Sequence, residues 1–230
     1  MSKWTIIMPC FNVAAFVRPL IEEACRLPAD VIAIDDGSLD QTGCILKDLA
    51  IAHPNLHIIS FKKNKGKGHA LKEGFEYAQS HLKYQALIAM DSDGQHLVSE
   101  VEALAKPILE GFDVVIGARD FSTMPFRSRL GNEIVSFLLA RLYHYPPIDS
   151  QTGMRAFSPR FIADLLPEIQ GGQYEMELYC LLLALERGYK MTHITIPTIY
   201  INKNRSSHFS TLKDTFKILF VLLAHTWRQK

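Results

Sequence analysis

Along its first half the chain alternates short apolar or β-branched runs with longer segments whose apolar residues recur at helical spacing. The runs fall at residues 5–8, 31–34, 57–61, 86–90 and 114–116, and the helical segments at 14–26, 41–52, 70–83 and 99–110. A parallel strand covered on both faces must be apolar throughout, whereas the helix that crosses back needs only one apolar stripe. This alternation is therefore the pattern of βαβ units. It predicts an α/β chain with a mostly parallel, Rossmann-like central sheet and helices on both faces. In such sheets ligands bind beyond the carboxyl ends of the strands, so chemistry is sought in the residues that follow each run.

Those residues are polar at four strand ends. Pro9-Cys10-Phe11-Asn12 follows the first run and Asp35-Asp36-Gly37-Ser38 the second. Asp91-Ser92-Asp93-Gly94-Gln95-His96 follows the fourth, and Gly117-Ala118-Arg119 the fifth. Beyond Arg119 the pattern predicts a helix over 127–145, a break at Pro146-Pro147, a short segment at 152–157 and a helix over 174–187. No linker, repeat or low-complexity tract separates the halves, so 230 residues are expected to form one large domain.

Composition narrows the function. Lys+Arg minus Asp+Glu is 25 − 24 = +1, which provides no basic field for nucleic acid, so any anion binding must be local. Apolar residues at 48% and charged residues at 21% exclude a disordered chain. Cys10, Cys25, Cys44 and Cys180 are widely spaced and form no C-x-x-C pair, and the N-terminus reads as a strand and not as a secretory leader. A reduced, cytoplasmic setting is expected. No stretch reaches the ~20 apolar residues of a bilayer span.

Asp91 and Asp93 are two residues apart, and strand alternation would point both side chains to one side, where they can share a cation. Hard divalent ions take oxygen ligands, and Mg²⁺ is typically held by one or two carboxylates with substrate phosphates. Gln95 offers a further oxygen. Such an ion neutralises charge on a departing diphosphate. Asp35 and Asp36 can accept hydrogen bonds from a base or ribose, with Gly37 permitting a tight turn; equally, Ser38 or Asp40 can cap the helix that follows. Asn64-Lys65-Gly66-Lys67-Gly68-His69 puts glycines and cations before a helix, either as an anion-friendly turn or as a basic surface turn. It matches neither G-x-G-x-x-G nor the P-loop spacing, which argues against dehydrogenase and kinase chemistry.

Taken in order, Pro9, Asp35-Asp36-Gly37-Ser38, Asn64-Lys65-Gly66-Lys67-Gly68, Asp91-Ser92-Asp93-Gly94-Gln95-His96, Gly117-Ala118-Arg119 and Asp149-Ser150-Gln151-Thr152-Gly153-Met154-Arg155 resemble the family 2 glycosyltransferases, above all those that use polyprenyl phosphates, such as the dolichol-phosphate mannose synthases. The resemblance spans about residues 4–210. It implies a GT-A fold over 1–210 that binds a UDP- or GDP-hexose with Mg²⁺ or Mn²⁺ and transfers the sugar with inversion to a polyprenyl phosphate. It further implies that Pro9 and Asp35 or Asp36 meet the base and ribose, and that Asp91, Asp93 and Gln95 hold the cation, with Lys67 also on the donor side. Arg119, Arg129 and Arg205 would grip phosphates, a task suited to a planar guanidinium fork. The Arg205 loop departs from the glycine-containing loop of the mannose synthases.

The acceptor decides whether a base is needed. A hydroxyl requires a carboxylate to take its proton, and a phosphate does not. Glu175 and Glu177 stand where hydroxyl-using relatives carry an acidic motif, but the Glu-Asp pair typical there is absent, which favours phosphate. Transfer to a saccharide hydroxyl with Glu175 or Glu177 as base, and a non-catalytic nucleotide-sugar-binding module, remain the alternatives. Residues 127–145 begin with Arg127 and Arg129 and continue apolar, and 211–230 reads as an amphipathic helix. Both suit peripheral contact with the inner face of a membrane or ordinary packing on the domain.

Overall fold

The computed structural model describes residues 4–119, 126–143, 149, 152–169 and 176–197. The four expected units are present as β1 (Trp4–Cys10), α1 (Ala14–Ala24), β2 (Ala29–Asp35), α2 (Thr42–Ala52), β3 (Leu56–Ser60), α3 (Lys67–His81), β4 (Ala86–Ala89), α4 (Val101–Leu109) and β5 (Val114–Arg119). They are followed by α5 (Phe126–Tyr143), β6 (Arg155–Phe157), α6 (Pro159–Leu165), α7 (Met176–Glu186) and β7 (Met191–Ile196).

The seven strands lie in the order β3-β2-β1-β4-β6-β5-β7. Every pairing is parallel except those of β6, which runs antiparallel between β4 and β5. Alternate strand residues feed two cores. Ile7, Ile32, Ile34, Leu87 and Phe157 pack with α3, α5, α6 and α7 on one face. Ile6, Met8, Val31, Ile88 and Val115 pack with α1, α2 and α4 on the other. A sheet apolar on both sides and sandwiched by helices is what the unbroken apolar runs require. Gly74 lets α3 settle close to the sheet, since a Cβ there would lie 2.7 Å from Ile7 Cγ2.

Strand order reverses between β1 and β4: β2 and β3 extend the sheet to one side of β1, and β4 begins the other. Loops leaving adjacent strands in opposite directions open a crevice at such a point. Pro9 and Asp91 lie at its two lips. β6 falls within the short segment expected at 152–157, which carries no strand assignment, and α6 and β7 are not among the expected elements. β6 has only three residues, and α6 is too short to show a period, although its start is marked by Ser158, whose side chain accepts from Phe161 N–H, and by Pro159. Residues 198–230, including the segment expected as a terminal helix, lie outside the described residues.

Candidate functional site

The loops after β1 and β2 are fastened to each other. Asn12, at φ 55, donates its backbone N–H to Ser38 Oγ at 3.1 Å, and its Oδ1 accepts from Leu39 N–H at 2.8 Å. Thr42 Oγ1 accepts from Val13 N–H at 2.9 Å. Asp40 accepts from Ala14 N–H at 3.1 Å and Thr42 N–H at 2.9 Å, so one carboxylate serves the otherwise unpaired amides at the start of both α1 and α2. Of the two capping candidates, Asp40 takes that role and Ser38 holds Asn12. Burial pushes the Asp40 carboxyl upward, but its hydrogen bonds from Thr42 and Ala14 outweigh this and leave it below the usual range.

Asp35 and Asp36, expected to face base and ribose, are both buried and turned into the protein. Asp35 Oδ1 accepts from Ser38 N–H at 2.9 Å, and its Oδ2 lies 2.5 Å from where a Cβ on Gly43 would sit. Asp36 is 3% exposed and accepts from Lys65 N–H at 2.7 Å and Gly66 N–H at 2.9 Å, one to each oxygen. Burial raises its carboxyl above the usual range, and the two amides offset this only in part. With both oxygens engaged by main chain, Asp36 anchors the 63–66 turn. Gly37, at φ 68, allows that turn to approach, since a Cβ would sit 2.6 Å from Asn64 N. Gly66, at φ 97, then directs the chain into α3, whose first residue is Lys67.

Asp91 and Asp93 lie on the far lip of the crevice. Because β4 stops at Ala89, they stand in a bend and not on the strand, so strand alternation is not what brings them together. The bend is tied to β1 by Ser92 Oγ, which donates to Pro9 O at 2.6 Å, and closed by Asp91 N–H donating to His96 Nδ1 at 3.2 Å. Burial pushes the His96 imidazole down to about 4, which keeps it neutral and able to accept. Asp93 is steadied by Gln95, which donates its backbone N–H to Oδ1 at 3.0 Å and its side-chain N–H to Oδ2 at 2.9 Å. Gln95, expected to offer an oxygen to the cation, thus orients Asp93 through its nitrogens. Burial and then the neighbouring Asp91 charge raise Asp93 to about 6.

Lys67 reaches across to this lip. Its Nζ is 2.5 Å from Asp91 Oδ1 and 2.6 Å from Glu177 Oε1, on the first turn of α7. Burial disfavours the ammonium, but the two carboxylates outweigh that cost and hold Lys67 above its ordinary range. For Asp91, burial likewise pushes upward and the Lys67 charge prevails, leaving the carboxyl below its usual range. Two residues absent from the expected site hold this cluster in place. Gly153 lies against the Asp91 carboxylate, where a Cβ would come within 2.6 Å of Asp91 Cγ. Arg155, fully buried, donates from Nε to Thr152 O at 3.0 Å and from Nη1 to Glu177 O, joining the start of β6 to α7. Both stand in the Asp149 to Arg155 motif that carries the family resemblance, but nothing in the sequence assigns either a role.

Of the expected phosphate-gripping arginines, Arg119 and Arg129 are each paired with a carboxylate. Arg119, at the end of β5, forks onto the wholly buried side chain of Asp149, with Nε 2.6 Å from Oδ2 and Nη2 3.1 Å from Oδ1. Its charge still acts on Asp91 and His96. Arg129 lies exposed on α5 and pairs with Glu133 at 2.6 Å. Arg205 and Glu175 lie outside the described residues. Among the described residues no three His, Cys, Asp or Glu side chains form a metal cage. Asp91 and Asp93 nevertheless suit Mg²⁺ or Mn²⁺ bound jointly by protein and phosphate oxygens, and the ammonium seated on Asp91 shows that this point attracts a cation.

Residues 5–163 match the family described as Glycosyl transferase family 2. The chain is 32% identical over 95% of its length to an uncharacterized protein of Methanocaldococcus jannaschii, 90% of which is covered. It is 28% identical, again over 95% of its length, to the UDP-N-acetylglucosamine–dolichyl-phosphate N-acetylglucosaminyltransferase of Methanococcus voltae, 94% of which is covered. Among solved structures, glucosyl-3-phosphoglycerate synthase from Mycobacterium tuberculosis in complex with Mn²⁺, UDP-glucose and phosphoglyceric acid is similar at a TM-score of 0.71 and 17% identity, over 95% of this chain and 78% of that one. That likeness is one of fold, and the fold is of the GT-A type.

Proposed function

The chain belongs to glycosyl transferase family 2, and from that membership and the cluster around Asp91 we propose that it moves a hexose from UDP or GDP to a polyprenyl phosphate, with inversion. Asp91 and Asp93 are the residues that would hold Mg²⁺ or Mn²⁺, with Gln95 orienting Asp93. When bound, the ion supplies positive charge against the departing diphosphate. Lys67 adds a protein-borne cation beside it, and Arg119 contributes its field from the end of β5. Pro9, Asp35 and Asp36 shape the nucleotide side, Asp36 through the turn it anchors.

The observation that carries the choice of acceptor is the Lys67–Glu177 ion pair. A carboxylate whose oxygen is 2.6 Å from an ammonium is a poor acceptor for a hydroxyl proton, whereas a phosphate arrives already ionised and needs no base. The Methanococcus voltae relative, by its name, acts on dolichyl phosphate. In this reading residues 1–210 are the transferase domain and 211–230 a helix at the membrane surface. Among the described residues no helix is long and apolar enough to cross a membrane. The α5 side chains Ile134, Phe137 and Leu142 are exposed and support peripheral contact at the cytoplasmic face.

The test supplies radiolabelled UDP- or GDP-hexose and Mn²⁺ with either a polyprenyl phosphate or free saccharides. Label extracted into organic solvent with the lipid phosphate is the expected result. Transfer to saccharides alone would replace it with hydroxyl chemistry, and donor binding without turnover on any acceptor would contradict it.

A further inference from the structure

We propose that Lys67 is an internal counter-ion that makes divalent-cation binding at Asp91 conditional on the nucleotide diphosphate. The inference rests on the donor-site reading above and adds an order to it. An ammonium 2.5 Å from Asp91 Oδ1 and a divalent ion on the same carboxylate repel each other strongly, because the site is largely screened from water. Without nucleotide, the ion has to displace the lysine before it can use Asp91.

The surroundings allow that displacement to be made by the lysine alone. Asp91 is backed by Gly153 and its amide is held by His96. Glu177 is fixed at its backbone carbonyl by the buried Arg155. Lys67 is a compact charge on a flexible stem, and it already has a second partner in Glu177, so leaving Asp91 does not strand it. A diphosphate changes the balance by bringing negative charge that both cations can share. The ion and the lysine then cease to compete, and nucleotide and metal tighten each other's binding reciprocally. The donor site consequently disfavours free cations and admits them with the nucleotide. A purely structural ion pair would do only the first.

Titration calorimetry with Mn²⁺ alone, UDP alone and Mn²⁺ in saturating UDP, on wild type, Lys67→Met and Lys67→Arg, tests this. Lys67→Met is expected to bind Mn²⁺ alone about tenfold more tightly than wild type and UDP alone more weakly. The extra Mn²⁺ affinity that UDP confers should shrink by about tenfold, while Lys67→Arg keeps the wild-type ranking. Mn²⁺ affinity of Lys67→Met equal to or below wild type would overturn the proposal. Wild-type protein that binds neither Mn²⁺ nor UDP would overturn the donor-site reading beneath it. Should Lys67→Met fail to fold, lysine-¹⁵N spectra of the wild type decide: the Lys67 ammonium signal is expected to shift on saturation with Mg²⁺ and UDP, and an unmoved signal would overturn the proposal.

Discussion

The two lips of the crevice solve the same problem differently. At the ends of β1 and β2 the carboxylates of Asp35, Asp36 and Asp40 are satisfied by backbone amides, and the loops they hold are fastened to each other. Around the ends of β4 and β5, Lys67 satisfies Asp91 and, from α7, Glu177, and Arg119 satisfies Asp149, while Asp93 is held by the backbone and side-chain N–H groups of Gln95. A main-chain partner cannot leave without the loop unfolding, whereas a side-chain cation can be exchanged for another cation. Acidic residues that look alike in sequence are therefore scaffold on one lip and replaceable partners on the other.

The largest expected effect is on the exchangeable side. Asp93→Ala should lower turnover by roughly a thousandfold, the scale of removing one preorganised charge-stabilising group, with its melting temperature close to that of wild type. Turnover near wild type would remove Asp93 from the cation site. Gly153→Ala should come next, because its Cβ would displace the Asp91 carboxylate; a misplacement of that size costs on the order of a hundredfold in kcat/KM.

On the scaffold side the losses should be in stability. Asp36→Ala orphans the buried Gly66 amide and the part-buried Lys65 amide and should cost about 2 kcal/mol in urea denaturation, with any loss of UDP affinity following from the loosened turn. A collapse of UDP affinity at unchanged stability would move Asp36 to the exchangeable group. Asp40→Ala should cost less, ~0.5–1 kcal/mol, since this cap is exposed and screened. The Asp40 carboxyl is lowered in the folded protein, so its contribution is present above its unfolded value near ~4 and is lost as pH falls through the lower folded value. The stability gap between wild type and Asp40→Ala should therefore close on acidification, and a gap that widened would contradict the assignment.

The alternation of residues 4–119 was legible because two-sided burial and helical stripes leave different local periods. So was the clustering of polar groups at strand ends. What could not be read is non-local. The three residues of β6 acquire their place only by pairing with β4 and β5, and the half-exposed edge strand β7 carries Thr192, His193 and Thr195 among its apolar residues. Lys67 read as an anion-binding cation because nothing in its neighbourhood announces Asp91 or Glu177, which reach it from other elements. Asp36 read as a ligand contact for the same reason: its partners are main-chain amides of a distant turn. Gly153 acts through the absence of a side chain, which only the contact with Asp91 reveals.

The most direct measurement is an anomalous-difference map from crystals soaked with Mn²⁺ and UDP. The expected result is a manganese peak coordinated by the carboxylates of Asp91 and Asp93, with the Lys67 ammonium no longer seated on Asp91. Nucleotide bound with the manganese elsewhere, and Lys67 still on Asp91, would contradict the exchangeable cation site at the centre of this mechanism.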